Sequence, residues 1–504
     1  MLNLRFCGLR GAPSTVFVVV LMRLTGGGVA LTLASDQMDP NYFAGIAEVA
    51  RKIRTKEISP RDVIDAHLER IDKLQPKLNA FVHVAAEGAR RQAHAAEASV
   101  LHGDTVGALQ GVPVSIKSCI DVAGWPCPAG SRLRADYVAS DDAVLVSRLK
   151  AAGAILIGNT NVPEFLMAYE TDNALSGKTS NPWELSRSAG GSSGGEAAAT
   201  ASGCSMGGVG SDGGGSVRVP AHFCGISGLK PTPGRIPGTG HFPRGAGAFA
   251  WLGVVGPMAR TVADVRALFD VMKGPDADDA LSTAIEAKSF GERELAGMRV
   301  GILESSALGN VTAETNEAVA TAARLLSEKF HVEPFQLKGL DQALELWWFF
   351  FGPMIAHLFG PLVEGREAEL SPRFREYMSV ASLKIEPTMD EFMAACVKRD
   401  ILRAKMIKQL RDVPILLSPV CAAPAFRHGQ GNWQPVLGYR DTMRHAQWLN
   451  LAGFPGVSVP VGFSPEGLPI GVQVIGRPNE DELVLAVAQI LETARGKFKT
   501  PSAI

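Results

Sequence analysis

The sequence predicts an α/β protein built around a largely parallel or mixed sheet. Three observations carry that prediction. Apolar stripes of helical period alternate with short, continuously apolar runs along the chain. Hydrophobic residues make up 46% of the 504 positions and charged residues 20%, which suits a large core and excludes wholesale disorder. No internal repeat and no long linker interrupts the alternation, so residues 38–504 read as one large domain.

The elements follow in order. Arg5 and Arg10 precede an apolar run from Val16 to Met22, which Arg23 interrupts. That run is shorter than the ~20 residues needed to cross a bilayer. The favoured reading of residues 1–37 is an extension upstream of a start at Met38, with a secretory signal or an anchor as alternatives. Ser59-Pro60 supplies an N-cap and a first-turn proline, and Val63, Ile64, His67, Leu68 and Ile71 form one helical face. Val112 to Ile116 reads as a buried strand ending at Lys117. Val144 to Ala152 reads as a helix and Ile155 to Ile157 as the strand after it. Strands follow at Val300–Leu303 and near Val332, with a helix from Ala313 to Phe330 between them. An aromatic run holds Trp347, Trp348, Phe349, Phe350 and Phe351. Strands at Ile415–Ser418, Val457–Val461 and Gly471–Ile475 precede a closing helix from Asp481 to Ala494.

Composition narrows the function classes. Net charge is −1, which argues against a generic nucleic-acid binder and offers no electrostatic hold on an anionic membrane. The seven cysteines, Cys7, Cys119, Cys127, Cys204, Cys224, Cys396 and Cys421, show no zinc spacing. They read as buried free thiols in a reducing compartment, so a cytoplasmic location is expected unless residues 1–37 are a targeting segment.

Residues 186–240 form a Gly/Ser tract with charges embedded at Glu196, Asp212 and Arg218. Gly208-x-Gly210-x-x-Gly213 matches a dinucleotide fingerprint, but Gly214, Gly215 and Pro220 follow where a clean helix should stand. Gly190-Gly191-Ser192-Ser193-Gly194 matches a nucleophile elbow, yet none of His222, His241, His357, His428 and His445 has a telling context. An acyl-transfer site fits better. Successive backbone N–H groups at Gly213, Gly214, Gly215 and Ser216 are able to converge as an oxyanion hole, with a serine hydroxyl beside it. A base is then needed, and Lys117 at the end of an apolar strand is placed to be buried and neutral.

At these residues the chain resembles the amidase signature family of serine hydrolases. The likeness runs from about residue 43 to 495. It rests on Gly111-Val-Pro-Val-Ser-Ile-Lys117, Gly190 to Glu196, Asp212 to Pro220, Phe223-Cys224-Gly225 and Gly228-Leu-Lys-Pro-Thr232. Asn161-Val-Pro-Glu-Phe165, Asn181-Pro-Trp183, Gly256-Pro-Met-Ala-Arg260 and Asn450-Leu-Ala-Gly-Phe-Pro455 add to it. The resemblance implies a central mixed sheet covered by helices on both faces. It makes Ser216 the nucleophile, Ser192 a bridging serine behind a cis peptide, and Lys117 the general base. Ser193, Asp212 and Arg218 would support the loop, and Leu166 and Met167 would touch substrate.

The expected activity is a stand-alone hydrolase of small apolar or aryl amides, with carbamates and esters as further substrates. The aromatic run at Trp347–Phe351 motivates the apolar preference. The alternative is the glutaminase component of a tRNA-dependent amidotransferase complex. No metal, cofactor, nucleic-acid or membrane partner is expected, and a homodimer is compatible with the sequence.

Overall fold

The computed structural model describes residues 43–245, 247, 249–304, 308–382, 387–430 and 442–502. The expectation for residues 1–37 lies outside them. The strands of the main sheet are β1 Phe81–Val84, β2 Pro113–Lys117, β3 Ile155–Thr160, β4 Gly207–Asp212, β5 Ser227–Lys230 and β6 Val254–Ala259. They continue with β7 Arg299–Leu303, β8 His331–Phe335, β9 Ile415–Pro419, β10 Gly456–Phe463 and β11 Pro469–Gly476. They form one 11-stranded sheet in the order β1-β3-β2-β4-β6-β5-β10-β11-β9-β7-β8.

The sheet is mixed. β2 pairs in parallel with both β3 and β4, and β7 with both β8 and β9. The middle of the sheet, from β4 through β6, β5, β10 and β11 to β9, is antiparallel. Ser59 caps the helix Pro60–Leu78 by accepting from the Arg61 N–H. That helix buries Ile64, Leu68 and Ile71 against the Ala-rich helix α1, Gly194–Ala201.

The Gly/Ser tract is the most buried part of the molecule and not a tether. It folds as α1, β4, a glycine loop, the helix α2 (Arg218–Cys224) and β5. β4 carries glycine for close approach: a Cβ at Gly208 would lie 2.1 Å from Glu196 Oε1. This packing removes the β-branched residues by which a strand is recognised, so neither β4 nor β5 is legible in the sequence. Two further helices reach the site, α3 Leu340–Phe349 and α4 Arg444–Ala452. The helical stretch Leu340–Val363 is long and apolar enough to cross a membrane, and half of it is buried inside the protein.

Candidate active site

Lys117 ends β2 with its side chain fully buried. Its Nζ lies 2.8 Å from Ser192 Oγ, 2.9 Å from Ser193 Oγ and 3.0 Å from Ser211 Oγ. Burial lowers its pKa to about 8, against the pull of Cys119, Asp212 and Glu196. A neutral amine has two N–H donors and one lone pair, so among three hydroxyls one donates to it. That is the geometry of a base waiting for a serine proton.

Ser192 and Ser193 precede α1, and the Gly191–Ser192 peptide is cis, as the resemblance implies. The Ser193 N–H donates to Ser216 O at 3.2 Å, tying this segment to the glycine loop. Ser192 and Ser216 line one cavity, which holds about 830 Å³ with its mouth included. Leu166, Met167, Ile236, Leu252, Phe351 and Ile355 line it too. Lys117, Ser192, Ser193, Ser216, Leu166 and Met167 are thus gathered at one place.

Asp212 and Arg218 brace the loop between them. Asp212 accepts the Gly215 N–H at 2.7 Å and the Val217 N–H at 3.1 Å. Arg218 donates to both of its oxygens at 3.0 Å. Burial alone would raise the Asp212 carboxyl, but the Arg218 charge and hydrogen bonds prevail and hold it well below the usual carboxylate range. Gly215 sits at φ 119, where other residues are strained. Because the Gly215 N–H is committed to Asp212, it is withdrawn from the expected oxyanion set, and Gly213, Gly214 and Ser216 remain as its backbone donors.

Sequence reasoning missed several supports. Asn450 donates to Asp212 O and Oδ1, both at 2.9 Å, and accepts from Arg218 at 2.7 Å. Gln473 accepts from Arg218 at 3.0 Å and donates to the His445 carbonyl at 2.8 Å. Ser211 closes the ring of hydroxyls around Lys117. Asn450 opens one of the family-like motifs, which was the available signal; Gln473, within an apolar strand, had none beyond being polar there.

The histidines do not supply a base. His241 lines the cavity, but its Nδ1–H donates to Pro243 O at 2.9 Å and its Nε2 faces Cys119 Sγ at 3.4 Å. His222 accepts the Gly471 N–H at 2.8 Å and donates to Ala423 O at 3.1 Å. Burial lowers both rings to about 4.

The Amidase family profile matches residues 62–485. The A subunit of the glutamyl-tRNA(Gln) amidotransferase from Carboxydothermus hydrogenoformans is 33% identical over 479 residues, 90% of this chain and 97% of the relative. The protein of the same name from Roseiflexus castenholzii is 34% identical over 475 residues, 89% and 95% of the two chains. The solved structure of a bacterial aryl acylamidase of the amidase signature enzymes is 28% identical with a TM-score of 0.80, covering 90% of this chain and 97% of that one.

These relatives overturn two expectations. The stand-alone hydrolase of apolar or aryl amides gives way to its alternative, because the similar proteins are subunits of an amidotransferase. The aromatic run that suggested an apolar substrate is mostly packing: Trp347 is 1% exposed and Phe350 2%, and of the five aromatics only Phe351 lines the cavity. The expected absence of a nucleic-acid partner falls for the same reason. A net charge near zero describes one chain and says nothing about a tRNA bound by an assembly. With a profile match over most of its length, this chain belongs to the amidase signature family and is an amide hydrolase by family.

Proposed function

We propose that this chain is the glutamine-hydrolysing component of a tRNA-dependent amidotransferase. The observation that carries the reading is the shared name of its relatives, 29–34% identical over 88–90% of the chain. In this reading Lys117, neutral, takes the Ser192 proton while Ser192 takes that of Ser216. Ser216 Oγ attacks the carboxamide carbon, and the oxyanion is met by backbone N–H groups of the glycine loop. The proton returns to nitrogen as the C–N bond breaks, leaving an ester on Ser216 and free ammonia. Water then cleaves the ester, so carboxamide plus water becomes carboxylate plus ammonia. The ammonia is consumed by partner subunits that act on an aminoacyl-tRNA.

The test is ammonia release from L-glutamine by the purified chain, alone and co-expressed with partner subunits from the same source. Turnover that rises on assembly and with charged tRNA is expected. Brisk cleavage of 4-nitroacetanilide with no glutamine turnover in any assembly would overturn the reading. A chain beginning at Met38 is expected to keep the activity.

A further inference from the structure

The carbonyl side of the glycine loop is held as carefully as its N–H side. Trp347 Nε1–H, from α3, donates to Gly213 O at 2.9 Å. The Tyr169 hydroxyl donates to Gly214 O at 2.8 Å, and Gln447 of α4 donates to that hydroxyl at 3.1 Å. Trp347 and Tyr169 are 1% and 3% exposed. The Trp347 ring stacks on Phe351 with centroids 4.6 Å apart. It lies so close to the loop that a Cβ at Gly214 would stand 2.5 Å from it.

A trans peptide is planar, with its C=O and N–H pointing in opposite directions. Holding Gly213 O against Trp347 therefore turns the Gly214 N–H the other way. Holding Gly214 O against Tyr169 grips the peptide whose N–H is already given to Asp212. The loop is a wall between two spaces. Gly213 and Ser216 line the catalytic cavity, whereas Trp347 and Gln447 line a separate cleft. We infer that Trp347 and Tyr169 are positioning residues that orient the Gly213–Gly214–Gly215 peptides so that the Gly214 N–H faces the nucleophile's cavity.

The inference rests on Ser216 being the nucleophile, so its test uses a probe of that serine that needs no knowledge of the substrate. A fluorophosphonate phosphonylates the serine hydroxyl with loss of fluoride, and its P=O oxygen occupies the oxyanion position. The rate constant at saturation and the half-saturating concentration are measured separately in the full chain. Trp347→Phe keeps the ring and removes the donor; Tyr169→Phe does the same for the second clamp. Each is expected to slow the saturated rate by about tenfold or more, since an aligned oxyanion donor is worth ~10²–10³ in rate. Half-saturation should change little, and Trp348→Phe on the same helix should react normally. If Trp347→Phe fails to fold, Tyr169→Phe still decides. Normal saturated rates in the folded clamp variants would overturn the inference alone. Failure of the unaltered protein to label at Ser216 would overturn the nucleophile assignment and the inference with it.

Discussion

Lys117 and Arg218 are both buried cations of one site, yet their surroundings differ in kind. Lys117 is met by three hydroxyls. Arg218 is met by a carboxylate on two of its nitrogens, with Asn450 and Gln473 completing the shell. Hydroxyls solvate a charge weakly, so burial prevails at Lys117 and brings it down to about 8. A carboxylate in two-point contact keeps the guanidinium charged and rigid. One region is built to let a proton leave, and the other to hold a loop still. The difference teaches that burial alone does not make a base; burial without a partnering anion does.

The comparison breaks most visibly at the two cations themselves. Lys117→Met should reduce glutamine turnover by ~10²–10⁴, the usual range for losing a general base. Its urea midpoint should hold or rise, because a buried amine with no anion is replaced by an apolar chain of similar length. Arg218→Met should do the reverse on stability. It strands Asp212, and breaking a buried pair from one side costs ~3–5 kcal/mol, read from urea unfolding. A Lys117→Met protein that unfolds as readily as Arg218→Met would erase the distinction.

The pH profile sharpens it. Lys117 accepts a proton only when neutral, so below about 8 turnover should fall about tenfold per pH unit and above it level off. A profile flat from pH 6 to 9 with chemistry limiting would contradict the hydroxyl-lined base. The smallest effect is expected at Glu196. This buried carboxyl accepts from Ser115 at 2.5 Å and from Thr160 at 3.1 Å, and burial raises it to about 7. Its charge favours protonated Lys117. Glu196→Gln should therefore move the acid limb to lower pH, by less than about one unit. A limb that moves upward would mean that the carboxyl acts only through packing.

Much of the molecule is legible without its structure. The strand ending in Lys117, the Ser59-capped helix and the closing helix through Asp481 are local, and periodicity with capping specifies them. The triad and its loop are readable because Lys117, Ser192 and Ser216 sit in long, uncommon stretches whose resemblance to one family is specific. Strands β4 and β5 are not readable, since Gly207, Gly208 and Gly210 follow close packing and not strand propensity.

What the sequence by itself determined is the chemistry available: a lysine on an apolar strand, serines flanked by glycines, and an acid–arginine pair six residues apart. What only the tertiary structure decided is which groups are spent. The Gly215 N–H goes to Asp212, Trp347 turns from a substrate wall into a clamp on Gly213, and Asn450 and Gln473 arrive from distant segments to close the Arg218 shell. The reason is physical. A backbone N–H or an indole donates one hydrogen bond, and its recipient is chosen by contacts between residues far apart in the chain, which no local pattern encodes.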